Sequence, residues 1–127
     1  RKNVILLPVE TSTYELINKS QAVATVTGTV GWEAVLRGKP ALVFGYIFYM
    51  YCDGVFRIND VEYCKGAFAK IQSGYEPDKQ KVINFLAIID KVSILGYPNV
   101  RFKGELKMTD KENGLNIAKE FIKNLTY

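Results

Sequence analysis

The residue types best suited to chemistry lie in one short stretch, from Thr25 to Glu33. An apolar, β-branched run enters the small turn Thr27-Gly28-Thr29, and a helical pattern begins directly after it. Such a turn lets a ligand approach the backbone closely, and the next helix directs amide groups and its positive dipole end toward that ligand. The pattern therefore suits a phosphate group, with the hydroxyls of Thr27 and Thr29 as additional donors.

Glu33 adds a carboxylate about one helical turn beyond Thr29. A carboxylate at this place can accept hydrogen bonds from the two vicinal hydroxyls of a ribose. A structural interpretation competes with this one, in which Thr29 only caps the helix and Glu33 pairs with Arg37 four residues later. Spacing alone leaves both interpretations open, because a Gly-containing turn before a helix is a weak signal by itself.

The composition limits which other chemistries this chain supplies. Its 127 residues include no histidine, which excludes imidazole bases, Ser-His-Asp and Cys-His nucleophiles and His-ligated zinc. A net charge of +4 is too small to indicate nucleic acid binding. Cys52 and Cys64 are expected to be reduced, half-buried thiols, with one disulfide between them as the alternative. We expect no catalytic residue, no metal and no bound cofactor in this chain.

Three short apolar runs in the first half predict the strands that would position the turn. These are Val4–Leu7, residues 22–27 and residues 41–44, each suited to a buried strand. Helical patterns lie between them, and this alternation is typical of parallel βαβ units. The predicted fold class is therefore α/β, with a Rossmann-like parallel sheet flanked by helices.

Capping signals give the ends of the predicted helices. Ser12 and Glu15 have capping-box spacing, which predicts a helix to about residue 19, and Gly38 is expected to close a second helix over residues 29–36. Asp60, Asp78 and Asp110 are interpreted as caps of later helices.

The second half predicts one edge strand over residues 55–58 and otherwise helices. The first of these helices runs to about residue 72, and its candidate buried positions are Tyr63, Phe68 and Ile71. A helix over about 78–95 is predicted to be the longest. The last begins at a capping box, Thr109 to Glu112, and carries one apolar stripe made of Leu115, Ala118, Phe121, Ile122 and Leu125.

One string is more specific than these periodicities. Thr27-Gly28-Thr29, then Gly31, Glu33 and Ala34, is followed by Gly38-Lys39-Pro40. With its surroundings from Val4 to Tyr49, it resembles the bacterial capsular polysaccharide synthesis proteins, which are similar to GT-B glycosyltransferases. The resemblance implies that residues 1–127 are a single Rossmann-like, donor-nucleotide-binding domain of the GT-B C-terminal type. That domain would be truncated, a fragment of a larger protein, with a helical C-terminal part over residues 78–127.

The resemblance also implies roles for particular residues. In that family the turn after the strand holds the donor's phosphates, and the Glu of the next helix commonly binds the ribose. Here these residues would be Thr27, Gly28 and Thr29 for phosphate and Glu33 for ribose. The loop from Pro8 to Ser12 would face the nucleobase. The aromatic residues after the third strand would flank the sugar, although such residues more often belong to the core; they are Tyr46, Phe48 and Tyr49.

The function implied is that of the donor-binding part of a cytoplasmic glycosyltransferase in capsular or surface polysaccharide synthesis. Its substrate would be a nucleotide sugar, and its acceptor a glycan or a lipid-linked sugar. A second Rossmann-like domain outside this chain would supply the acceptor site and the catalytic base, and the first strands of the present domain would also lie outside it. The alternatives are a non-hydrolysing nucleotide-sugar epimerase-like domain and a non-catalytic nucleotide-binding or interaction module.

Two further expectations concern surfaces. An open sheet edge in a truncated domain would favour pairing with a second copy, as a homo-oligomer. The lysines of the last two helices predict a solvated face, with peripheral contact with the anionic inner membrane as the sharper alternative. They are Lys79, Lys81, Lys103, Lys107, Lys111, Lys119 and Lys123.

Overall fold

A computed structural model describes residues 2–99 and 104–125 of the chain. Within these residues the fold is α/β, as predicted, with a three-stranded parallel sheet and five helices. The elements in chain order are α1 (Thr13–Lys19), β1 (Val23–Thr25), α2 (Val30–Leu36), β2 (Ala41–Val43), β3 (Val55–Arg57), α3 (Val61–Gln72), α4 (Lys79–Val92) and α5 (Asp110–Leu125). The chain divides into two compact units, residues 1–87 and residues 88–127.

The sheet confirms the predicted parallel βαβ arrangement. Its strand order is β1-β2-β3, and α2 connects the two parallel strands β1 and β2. All three residues of the central strand β2 are buried, because it has a strand on each side and side chains covering both faces. The predicted edge strand is β3. Gly38 ends α2 with a φ of 73°, in the left-handed region that favours glycine.

The predicted strand over Val4–Leu7 is wrong. These residues form no strand, and the exposed fractions of Ile5 and Leu6 are 83% and 92%. A run of apolar residues shows that a segment could be buried, but a strand also needs a neighbour for its backbone hydrogen bonds. No strand in the described part of the chain pairs with this segment.

Two apolar clusters form the core of the first unit, one on each face of the sheet. The first contains Tyr49 and Cys52 packed with Val35, Val43 and Val82 from the surrounding elements. The second, against α3, consists of Leu42, Ala67 and Ile71.

One face of α3 is assigned only partly correctly by the sequence. Ile71 is buried as predicted, whereas Tyr63 and Phe68 are wrong as buried positions, with exposed fractions of 61% and 53%. The small residue Ala67 lies buried against the sheet instead, so the face of the helix that packs is set by close approach rather than by side-chain size.

Side-chain caps start most helices where the sequence predicts them. The Ser12 hydroxyl accepts from the Glu15 amide at 3.4 Å, and Asp60 Oδ1 accepts from the Tyr63 amide at 2.9 Å. Asp78 Oδ1 caps α4 by accepting from the amide of residue 80 at 2.8 Å. These bonds satisfy amides that have no partner within their own helix.

The second unit consists of the end of α4, a connection and α5, which with 16 residues is longer than α4 with 14. The expectation that the helix over 78–95 would be the longest is therefore wrong. The predicted capping box is confirmed: the Thr109 amide donates to Glu112 Oε2 at 2.8 Å, and the Glu112 amide donates to the Thr109 hydroxyl at 3.2 Å. Asp110 is not the cap but the first helical residue, and its carboxylate accepts from the Tyr97 hydroxyl.

The predicted apolar stripe of α5 is present but is not buried. Leu115, Phe121, Ile122 and Leu125 have exposed fractions from 49% to 78%, and the helix has no buried residue. Lys103, one of the predicted surface lysines, lies outside the described residues. No helix in residues 2–99 and 104–125 is long and apolar enough to cross a membrane.

Candidate functional site

The turn Thr27-Gly28-Thr29 lies at the carboxyl end of β1, where ligands bind in open parallel sheets. Thr27 and Thr29 are exposed. Thr29 is the N-cap residue of α2, but its side chain makes no capping hydrogen bond. Both hydroxyls are thus presented at the surface of the turn.

Gly28 is held in place through both of its backbone polar groups. Its amide donates to the Thr25 hydroxyl at 3.0 Å, and its carbonyl accepts from the hydroxyl of Tyr49, 21 residues later. Because the amide already has a partner, Gly28 offers a ligand a surface without a side chain rather than a donor. The hydroxyls of Thr27 and Thr29 are then the turn's own side-chain donors.

Tyr49 is the anchor of this turn. Its side chain is fully buried, and its ring stacks on Trp32 with 5.9 Å between ring centroids. Burial raises the pKa of the Tyr49 hydroxyl, so the group is a protonated donor at neutral pH. Of the two interpretations given to Tyr49, core residue or sugar contact, the structure favours the core, because a fully buried ring has no surface left for a sugar.

Gly31 leaves the space that the Tyr49 hydroxyl occupies. A Cβ at Gly31 would lie 2.6 Å from Tyr49 Oη and 3.1 Å from Thr25 Cγ2. Any larger residue would displace the hydroxyl from the Gly28 carbonyl. The glycine that follows the turn by two residues is thus required for packing.

The loop after β2 lies directly against the loop after β1. The Gly45 amide donates to the Val26 carbonyl at 2.9 Å, and a Cβ at Gly45 would lie 2.7 Å from Thr27 Cγ2. Tyr46, the next residue, has an exposed fraction of 78%. Tyr46 therefore follows a residue in contact with the turn, at the same edge of the sheet, and its ring is available to a ligand.

Glu33 lies in the first turn of α2, half-buried, and its amide donates to the Thr29 carbonyl at 3.0 Å. The competing ion pair with Arg37 is absent from the described residues, because the Arg37 guanidinium lies over the ring of Tyr14, 4.4 Å from its centroid. The structural interpretation of Glu33 thus loses the contact on which it depended.

The predicted nucleobase loop is not brought to this turn by any hydrogen bond or ring contact of the described residues. Pro8 is exposed, and its carbonyl accepts from the Thr11 amide at 3.1 Å in a local turn. The Ser12 hydroxyl is occupied as the cap of α1. The assignment of Pro8 and Ser12 to the nucleobase stays a prediction.

The cysteines supply no nucleophile. Both are free thiols, as expected, with Cys52 buried and Cys64 half-buried. Burial, together with the neighbouring charge of Asp53, raises the pKa of Cys52 to about 11. A thiol with that pKa remains protonated and unreactive at neutral pH.

Arg57 is a charged residue at the same sheet edge that the sequence analysis did not select. It is the last residue of β3, half-buried, and its guanidinium lies 5.4 Å from the ring centroid of Tyr46 and 5.7 Å from that of Tyr51. Its place one residue before the end of the predicted edge strand was the signal available in the sequence, since parallel strands end at a common edge.

Comparison with known proteins adds a family to this geometry. Residues 1–60 match the family model of the capsule polysaccharide biosynthesis proteins. These residues belong to that family. The match confirms the resemblance drawn from the sequence and supports a role in capsule polysaccharide synthesis. The matched segment contains the whole sheet, the turn after β1 and Arg57. No curated protein and no solved structure gave a significant match to the chain.

Proposed function

We propose that this chain is the donor-binding part of a glycosyltransferase of capsule polysaccharide synthesis and that it binds a nucleotide sugar at the carboxyl edge of its sheet. The observation that carries the proposal is that the family-matched segment ends β1 in an exposed Thr27-Gly28-Thr29 turn. The turn is fixed from behind by Tyr49, so it is ordered before a ligand arrives. Pre-ordered donors lower the entropic cost of binding.

In this proposal the hydroxyls of Thr27 and Thr29 donate to the donor's phosphates, and Glu33 accepts from the ribose hydroxyls. Stabilisation of the leaving nucleotide would be electrostatic, by fixed dipoles and donors at the developing negative charge. This chain contributes no proton-transfer group, in keeping with the absence of histidine. The base that activates the acceptor is proposed to lie in a separate domain.

The test is a thermal-unfolding panel with UDP, GDP, CMP and their sugar conjugates. We expect one nucleotide to raise the unfolding temperature, with a stabilisation of about 2.7 kcal/mol at a ligand concentration of about 100 Kd. Glu33→Ala should reduce that shift. The matched control is Glu62→Ala, which removes a glutamate from the first turn of α3, where it pairs only with Lys65 at 2.7 Å.

Two results would contradict the proposal. One is a folded chain whose unfolding temperature no nucleotide changes. The other is an equal loss of the shift in Glu33→Ala and Glu62→Ala, which would show that helix stability rather than ribose contact is being measured. Isomerisation of the sugar without release of nucleotide would point to epimerase chemistry instead.

A further inference from the structure

Arg57 and the turn after β1 are level with each other across the sheet. In the parallel register Thr25 pairs with Val43, and Val43 pairs with Arg57, so the three strands end at the same height. Neighbouring strands lie about 4.8 Å apart, which places the Cα atoms of Thr25 and Arg57 about 10 Å from each other. Both therefore border the surface at which the proposed donor would bind.

One short segment of chain, residues 46–51, contacts both of them. On one side, Tyr49 donates its hydroxyl to the Gly28 carbonyl. On the other, Tyr46 and Tyr51 flank the Arg57 guanidinium. Because the same six residues fix the turn and the cation, the relative positions of the two are set by the fold.

The charge of Arg57 is not compensated by a carboxylate. In the described residues its contacts are the two tyrosine rings, and no ion pair to it is formed. Aromatic faces attract a guanidinium but leave its N–H groups without acceptors. A half-buried guanidinium in that setting gains more from an anion than a fully solvated one does, because water screens it less.

We propose that Arg57 is a second anion-binding residue of the donor site and that it binds a phosphate oxygen of the nucleotide from the side opposite Thr27-Gly28-Thr29. The inference rests on the proposed function and adds a specificity: the site selects nucleotides over nucleosides through Arg57. Its planar fork of N–H groups matches phosphate oxygens, which a lysine ammonium does not reproduce. The two tyrosine rings hold the fork in place before binding.

A purely structural role for Arg57, as a clamp on residues 46–51, has a different consequence. Loss of the clamp would loosen Tyr46 and Tyr51 and weaken every ligand of this edge alike. Loss of a phosphate ligand would weaken only molecules that carry phosphate. Comparing nucleoside with nucleotide therefore separates the two roles.

The experiment is equilibrium binding of uridine, UMP and UDP, and of the corresponding guanosine and cytidine series, to the 127-residue chain. For the base that binds, we expect Arg57→Gln to lower the affinity for the nucleotide about tenfold or more and to leave that for the nucleoside unchanged. Arg57→Lys, which keeps the charge, should lie between the two. The matched control is Arg37→Gln, which removes another guanidinium held over a tyrosine ring, at the end of α2 remote from the turn.

The outcomes distinguish this inference from the proposed function. If the wild-type chain binds no nucleotide, the proposed function fails and the inference fails with it. If the wild type binds and Arg57→Gln binds equally well, only the inference is overturned. An equal loss for nucleoside and nucleotide also overturns it, in favour of the clamp. A loss seen only with a sugar that carries a carboxylate, such as UDP-glucuronate against UDP-glucose, would overturn the assignment to phosphate.

Discussion

The sheet unit, residues 1–87, and the helical unit, residues 88–127, are stabilised in different ways. In the described residues every buried apolar side chain except that of Tyr97 belongs to the sheet unit. The helical unit depends instead on local hydrogen bonds: the capping box of α5 and the contacts of Asn113, which donates to the Tyr97 carbonyl and accepts from the Tyr97 amide. Burial fixes side chains over long sequence distances, whereas local bonds fix only neighbouring turns. This difference explains why the candidate site, which needs fixed geometry, lies in the sheet unit.

The largest test of this comparison removes one aromatic ring from each unit. Tyr49→Ala should lower the free energy of unfolding of the sheet unit by about 3–5 kcal/mol, because it leaves a cavity beneath Trp32. Phe121→Ala, at an exposed fraction of 62%, should change the stability by about 0.5 kcal/mol or less. Trp32 is the single tryptophan, so its fluorescence in a denaturant titration reports the sheet unit. Similar losses in both variants would contradict the comparison.

A smaller effect is expected from a methyl group added at either of two helical glycines of the sheet unit. Gly31→Ala should destabilise it by about 1–3 kcal/mol, because the new Cβ would meet Tyr49 Oη at 2.6 Å. Gly66→Ala in α3, where no heavy atom lies within 4 Å of the added Cβ, should stabilise it by about 0.5–1 kcal/mol. The measurement is the same titration. Changes of the same sign would mean that the Tyr49 hydroxyl moves freely and does not anchor the turn.

The same contrast sets what the sequence predicts about the fold. The βαβ arrangement and the helix starts are predictable, since the signals are local: Gly38 at the end of α2 and Asp60 at the start of α3 act on their own neighbours. The segment Val4–Leu7 and the stripe of α5 are not, because an apolar pattern shows only that a segment can be buried. Whether it is buried depends on a partner elsewhere, and none is present in the described residues.

Prediction of the candidate site divides along the same line. The place of Thr27-Gly28-Thr29 at a strand end follows from periodicity, and the structure bears it out. The roles of the three tyrosines after β2 do not follow from it. Tyr46, Tyr49 and Tyr51 are alike in type, yet one is fully buried against the turn and two flank Arg57. Only the path of the loop, which depends on contacts 21 residues apart, separates them.

The smallest expected effect lies in the helical unit and depends on pH. Hydrogen bonds from the amide and the hydroxyl of Thr109 lower the pKa of Glu112 below its ordinary value of 4.5. A carboxyl whose pKa is lowered by folding stabilises the folded state above its unfolded pKa, and this contribution is lost as the pH falls through the folded pKa. The first turn of α5 should therefore lose helicity in acid, measured by the Cα chemical shifts of residues 110–115.

Two variants sharpen this last prediction. Glu112→Gln should remove the dependence on pH over that acid range, and Thr109→Ala should lower the helix stability by about 1 kcal/mol at neutral pH. The control is α1, whose cap is the Ser12 hydroxyl and does not titrate. Its shifts should stay constant where those of α5 change. Equal changes in the two helices would show that acid unfolds the chain as a whole, and the local capping box would then not be what orders the helical unit.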